Sequence, residues 1–199
     1  MLEKKPLNAG KGSVVVITAP SGAGKTTLAK KLLAEYDQLV FSVSATTRAP
    51  RANEVHGRDY HFLDRETFDQ HIEQGDFLEW EEFYNGSRYG TLRSDVEHHI
   101  KNGYFVLFDV EVKGALNLKN VYGDACLSVF IKPPSTEVLE SRLRSRGTES
   151  EETLRLRLDR AKMELQQAGH FDAIVVNDDF DLAYAAVKDL ITQFTGCSY

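Results

Sequence analysis

The sequence predicts an α/β fold, a parallel sheet flanked by helices and interrupted by two polar insertions. Three observations predict it. Five short apolar runs, at 14–17, 39–43, 104–108, 127–131 and 173–176, carry almost no polar residue inside them. Such runs are strands buried on both faces, the situation a parallel sheet with covering helices creates. Helix-like stretches alternate with them, at 26–35, 93–101, 111–119, 136–144, 151–167 and 182–194. Finally, two blocks break the rhythm, one at 45–92 in short alternating segments and one at 141–163 rich in Arg and Glu.

The first run, Val14-Val-Val-Ile-Thr18, feeds Ala19-Pro-Ser-Gly-Ala-Gly-Lys-Thr-Thr27 and then the helix-forming Leu28-Ala-Lys-Lys-Leu-Leu-Ala34. Strand, glycine loop and helix in that order are the context of a phosphate-binding P-loop. Backbone N–H groups of Ala19, Pro20 onward through Ser21, Gly22, Ala23 and Gly24, and of the first helical turn, converge on one anion; proline itself contributes shape but no donor. Lys25 adds a point charge at the β/γ-phosphates, and the Thr26 hydroxyl reaches Mg²⁺, with Thr27 beside it. Ala19 stands where the consensus asks for Gly; its methyl is tolerated in an ordinary backbone region and would cost about 1–3 kcal/mol at positive φ.

The segment 39–43 reads as the next strand, and 45–92 as an inserted lobe. Its segments Asp59-Tyr-His-Phe-Leu63 and Phe77-Leu-Glu-Trp-Glu-Glu-Phe83 alternate as antiparallel strands with one wetted face do. The helix-like stretch 93–101 leads to Tyr104-Phe-Val-Leu-Phe-Asp109, an apolar strand ending in a carboxylate, the form of a Walker B element whose Asp helps to hold Mg²⁺. Helical spacing of Leu182, Ala186, Leu190 and Ile191, closed by Phe194, gives the last helix one apolar face. The core thus comprises 1–44, 93–140 and 164–199, with insertions at 45–92 and 141–163.

The 199 residues suffice for one such core with inserted lobes. A formal net charge of −6 argues against a general nucleic-acid binder, so any anion site is local. Cys126 and Cys197 form no metal-binding or disulfide framework. No apolar run approaches the ~20 residues of a membrane span and the N-terminus lacks a signal-peptide core, so a cytoplasmic protein with no membrane partner is expected. The six histidines show no metal-binding spacing, and His98 and His99, adjacent on a helix, are expected on different sides of it.

The first insertion opens Ser42-Val-Ser-Ala-Thr-Thr-Arg-Ala-Pro-Arg51, followed by Glu54, Gly57 and Asp59-Tyr60. Pro50 holds Arg48 and Arg51 in extended geometry, suited to two guanidinium forks gripping one phosphate. Farther on come Glu79 and Tyr89-Gly-Thr91. Here the chain resembles the guanylate kinase family, whose pattern SVSxTTRxPRxGExxGxDYxF it meets almost throughout, with Asn53 in place of Gly and His61 in the following strand. The resemblance runs from Ser13 to about Phe194. It implies a P-loop core with a mixed α/β GMP-binding lobe and a helical lid. It implies that Arg48, Arg51, Tyr60 and Tyr89 hold the GMP phosphate and that Ser44, Glu79 and Thr91 contact guanine. Guanine's N1–H and N2–H₂ are adjacent donors that one carboxylate accepts; adenine lacks the pair.

The family continues after its Walker B acid as Asp-x-Asp-x-Gln-Gly. This chain has Asp109-Val-Glu111-Val-Lys113-Gly114, so the second acid, which the resemblance places in guanine binding, is one methylene longer, and Lys113 adds a cation. In the lid, Arg146 and Arg157 match the arginines that reach the ATP phosphates. Arg142, Arg144, Arg155 and Arg160 are expected on a solvated face, pairing with Glu140, Glu151, Glu152 and Asp159. Asn177, in Val175-Val-Asn-Asp178, is expected near the nucleotide. The implied activity is ATP + GMP → ADP + GDP with Mg²⁺, catalysed by Lys25, Arg48, Asp109, Arg146 and Arg157; the oligomeric state is left open. Two alternatives stand beside it: another P-loop kinase with a different small phosphate acceptor, and a non-catalytic interaction module of the same fold.

Overall fold

The five apolar runs form one sheet. The structure, a computed structural model, describes residues 14–83, 86–145 and 151–196. β1 (Val14–Thr18) is central and fully buried. It pairs in parallel with β7 (Phe105–Asp109) on one side and β8 (Cys126–Lys132) on the other; β2 (Leu39–Phe41) and β9 (Ala173–Val176) complete the order β2-β7-β1-β8-β9. Alternate residues of β1 feed two cores. Val15 and Ile17 pack with Leu28, Leu32, Val187 and Ile191 of α1 (Lys25–Glu35) and α7 (Phe180–Thr195). Val14 and Val16 pack with Ala115 and Leu118 of α4 (Val112–Tyr122). Each fully buried valine contributes about 1.5–3 kcal/mol relative to exposure, which is why this strand tolerates no polar residue before Thr18.

The strand order positions the site. β7 lies between β1 and β2, and its register sets Asp109 opposite Ile17, beside the loop that leaves β1. Ligands of open α/β sheets bind outside such carboxyl ends, where neighbouring connections diverge.

Within 45–92 a second sheet has the order β4-β3-β6-β5, with β3 (Ala45–Thr46), β4 (His61–Phe62), β5 (Phe77–Glu82) and β6 (Arg88–Leu92). Its β3–β4 pair is parallel and the others antiparallel. A helix, α2 (Arg65–Gln74), also lies in this block, where alternating segments were the only signal read. Its marks are end signals: Asp64 accepts from the Thr67 N–H at 2.7 Å, and Gly75 closes it at φ 71°. Phe68 is its one buried residue, so no apolar stripe announces it. α3 (Arg93–Lys101) returns the chain to β7. The rings of His98 and His99 meet edge-on at 5.8 Å, contrary to the expected separation.

α5 (Thr136–Arg144) and α6 (Glu151–Gln166) share a small core of Leu139, Leu143, Leu154 and Ala161. Among the described residues only glycines take positive φ. Ala19 and Asn53 therefore occupy ordinary backbone regions, and neither departure carries the strain a left-handed residue would. Among the same residues no helix is long and apolar enough to cross a membrane.

Cys126 starts β8 with no exposed surface, and burial pushes its thiol up to about 12. At pH 8 the folded protein should hold it as the inert thiol. In a Cys197→Ser variant, iodoacetamide should label Cys126 slowly in buffer and rapidly in denaturant; equal rates would contradict its burial.

Candidate functional site

The loop after β1 turns on Gly22 and Gly24, at φ 92° and 95°. Gly24 is also the N-cap of α1 and offers no side chain to its first turn, which carries no acid. The first-turn N–H groups are thus left to an anion. A Cβ at Gly24 would land against the amide nitrogen of Asn177. That amide donates to the Ala23 carbonyl at 2.7 Å, so buried Asn177 fastens the loop to the end of β9.

Lys25 Nζ lies 2.6 Å from Asp109 Oδ1 and donates to the Val110 carbonyl at 3.1 Å. Thr18 donates to the same carbonyl at 2.8 Å, fixing the turn after β7. Thr26 Oγ1 donates to Asp109 Oδ2 at 3.2 Å. One hydroxyl and one carboxylate form the sparse, hard-oxygen donor set that suits Mg²⁺, which takes its remaining ligands from water and substrate phosphates. Among the described residues no cluster of three or more His, Cys, Asp or Glu side chains could hold a metal by itself.

A cleft of about 630 Å³ joins this loop to the second sheet. Ala19 to Gly22 and Gly24 to Thr27 line it, with Asp109 and Glu111, and so do Ser44, Tyr60, Glu79 and Tyr89. Glu79 on β5 stands opposite Thr91 on β6 and accepts its hydroxyl at 2.6 Å, a cross-strand pair set by register. Its second oxygen faces Gly114 of α4, where an added Cβ would come within 3.0 Å. Burial raises the Glu79 carboxyl above its ordinary range; the Thr91 hydrogen bond opposes that and the Glu81 charge adds to it. A partly desolvated carboxylate with one oxygen unused by Thr91 is a receptor for neutral N–H donors.

Arg48 makes a bidentate pair with Glu54, both contacts at 2.9 Å. Its Nε donates to the Tyr89 hydroxyl at 3.2 Å, and its guanidinium sits 5.3 Å from the Tyr60 ring centre. Glu54 also accepts from the Arg51 N–H at 2.8 Å, and the Arg48 hydrogen bonds hold its carboxyl down to about 2. The Arg51 side chain is exposed. Glu54, assigned no role from sequence, is therefore what holds the Arg48 guanidinium and the Arg51 backbone. Its spacing, three residues after Arg51, was the available signal.

Arg157 on α6 reaches the Ser21 hydroxyl oxygen at 3.5 Å. Arg146 lies outside the described residues. Lys113 is exposed on α4 and does not line the cleft. Arg144 pairs with Glu140 at 2.9 Å and also with Glu151, as expected of a solvated face. Arg142 and Arg160 depart from that expectation. Arg142 donates to the Asn177 carbonyl at 3.0 Å. Arg160 donates to Glu164 at 2.9 Å and meets Glu111 at 3.5 Å. Each has a partner on another element, Asn177 after β9 for Arg142 and Glu111 at the start of α4 for Arg160. Helical charge pairing alone does not reveal such partners. His61, another departure from the family pattern, contacts Asp95 at 2.8 Å and so ties the second sheet to α3.

The family profile described as guanylate kinase matches residues 11–194. Guanylate kinase from Salinibacter ruber is 52% identical over 182 residues, 92% of this chain and 96% of that protein. Guanylate kinase from Chlorobaculum tepidum is 51% identical over 183 residues, 92% of this chain and 93% of that protein. The crystal structure of guanylate kinase from Anaplasma phagocytophilum superposes with a TM-score of 0.74 at 30% identity, covering 96% of this chain and 89% of that one. Sequence match and shared architecture agree along nearly the whole length: the chain belongs to the guanylate kinase family.

Proposed function

We propose that the protein transfers the γ-phosphoryl group of ATP to GMP, giving ADP and GDP. The observation that carries this reading is the joint lining of one cleft by a phosphate loop and by Glu79, a half-buried carboxylate held by the Thr91 hydroxyl. The loop and the helix N-terminus suit the donor's phosphates. Glu79, bonded to Thr91 and sharing the cleft with Ser44, suits the N1–H and N2–H₂ donors of guanine. Tyr60 and Tyr89 line the same cleft, Arg48 donates to the Tyr89 hydroxyl and lies beside the Tyr60 ring, and the three suit the acceptor's phosphate.

The chemistry needs little covalent help. An acceptor phosphate oxygen, already anionic, attacks the γ-phosphorus in line, and the β–γ bridging oxygen departs with ADP. Positioning and charge neutralisation then account for the rate. Lys25 neutralises charge on the transferring group. Arg48, held by Glu54, and Arg51 bring the acceptor phosphate against its own repulsion from the donor. Arg157 adds charge at the loop from α6, with Arg146 expected to act alongside it. Mg²⁺, held through Thr26 and Asp109, would supply charge neutralisation on the donor's phosphate oxygens. Asn177 keeps the loop in shape.

Arg48→Ala and Arg51→Ala should each raise the KM for GMP much more than the KM for ATP, with some loss of kcat because misplacement also costs rate. Equal weakening of both substrates would show a general structural role instead. The reading itself is tested by a coupled assay offering ATP with GMP, AMP, UMP or CMP. GMP should be preferred by orders of magnitude. Preference for another acceptor would make the protein a different P-loop kinase, and no turnover with any would make it a binding module.

A further inference from the structure

α6 touches the cleft lining at two places. Arg157 reaches Ser21 of the phosphate loop, and Arg160, three residues on and so on the same side of the helix, reaches Glu111. Arg160 is itself anchored. Its Nε donates to Glu164 one turn later at 2.9 Å, and Glu164 is largely buried, its side chain 11% exposed. The acids acting on Arg160 come from three elements: Glu164 on α6, Glu111 at the start of α4 and Glu81 on β5. Two of these, Glu111 and Glu81, line the cleft. Lys25 in turn acts on Glu164, so the charges of the phosphate loop and of this cluster belong to one neighbourhood.

Glu111 lines the cleft at the N-cap of α4, and its long, flexible side chain makes no capping hydrogen bond to that helix. It must be held to be useful, because a carboxylate ordered beforehand does not lose rotamer freedom when a base arrives. We propose that Arg160 is a positioning residue that couples the two nucleotide sites, seating Glu111 against the acceptor base when donor phosphates draw α6 onto the loop. This rests on the donor and acceptor assignment made above. The family's shorter acid at this position would stop about one methylene short of Arg160, so the device belongs to this chain's pairing of Glu111 with Arg160.

Coupling of this kind is reciprocal: each ligand improves the other's affinity by the same factor. The test is calorimetric binding of GMP to the full chain, alone and saturated with the β,γ-imido analogue of ATP and Mg²⁺, then the reverse titration. The expected wild-type factor is about fivefold or more in both directions. Arg160→Met should reduce it to near unity, as should Glu111→Asp, which leaves the Arg160–Glu164 pair intact and so serves even if Arg160→Met is poorly folded. The double variant should be no worse in coupling than either single one. A variant that merely loosened α6 would weaken both nucleotides and leave their ratio unchanged. GMP binding with an unchanged coupling factor in Arg160→Met and Glu111→Asp would overturn the inference alone; so would a wild-type factor of one. Failure of the wild-type chain to bind GMP at all would overturn the acceptor assignment and the inference with it.

Discussion

Lys25→Met should lower kcat by about 10²-fold or more, the loss that follows removal of one electrostatic group aimed at developing charge. Lys25 leads α1 out of the loop, where phosphate charge would lie, and its ammonium is already held by Asp109 at 2.6 Å and the Val110 carbonyl at 3.1 Å. Methionine keeps the stem's length and apolar packing and removes only the charge and donors. The structure adds a consequence that the motif alone does not give. Asp109 and Lys25 are each about five-sixths buried as side chains, at 15% and 16% exposure. Leaving Asp109 without its cation should therefore cost stability of about 1–3 kcal/mol, the cost of an orphaned charged hydrogen-bonding group. Thermal unfolding separates the two effects: kcat should fall at temperatures where the variant is fully folded. Turnover near wild type in folded protein would exclude Lys25 from phosphoryl transfer.

Glu79→Gln should lower kcat/KM for GMP by about 1.5–3 kcal/mol, the worth of a hydrogen bond to a charged group. That is a loss of about 10- to 150-fold. Glutamine can still accept the Thr91 hydroxyl through its carbonyl oxygen. Its amide NH₂ would then take the place of the second carboxylate oxygen and point a donor at guanine's donors. AMP turnover should stay poor, because removing the acceptor does not create a site for adenine. A pH signature accompanies the change. Burial raises the Glu79 carboxyl, so it protonates at a higher pH than an exposed glutamate as the medium is acidified. Guanine recognition needs the ionised form, so kcat/KM for GMP should decline on the acid side earlier than an ordinary carboxylate allows, and Glu79→Gln should lack that decline. Glu54, held down to about 2, stays ionised throughout this range, so loss of the Arg48 pair is not its source. An unchanged GMP value in Glu79→Gln would mean that another group reads the base.

The parallel sheet was legible because burial on both faces leaves a simple trace: five apolar runs, all of which became strands of one sheet in the structure. The phosphate loop was equally legible, since its turn needs glycine at Gly22 and Gly24 and its helix needs an uncapped start. α2 was not, because a helix with one buried residue is specified by its ends, at Asp64 and Gly75, rather than by a stripe. Nor could sequence say what Glu54, Arg142 and Arg160 touch. Their partners are Arg48, the Asn177 carbonyl, and Glu111 with Glu164; the Asn177 carbonyl and Glu111 are brought close only by tertiary folding. Charge patterning along a helix registers neighbours three and four residues away, and so it assigned Arg142 and Arg160 to solvent. Glu79 was singled out by resemblance to a family pattern. That it would be half-buried between Thr91 of β6 and Gly114 of α4 is a property of the packed β5, β6 and α4 together.

The most direct measurement follows both nucleotide products at once. Full-length protein with ATP, Mg²⁺ and GMP should yield ADP and GDP in equal amounts, with far slower ADP release when GMP is omitted. Equal yields mean that the γ-phosphoryl group passes to the acceptor and not to water. ADP formed without GDP would make the cleft a hydrolase site, and neither product would make it a binding site; either result would contradict phosphoryl transfer between two nucleotides held in one cleft.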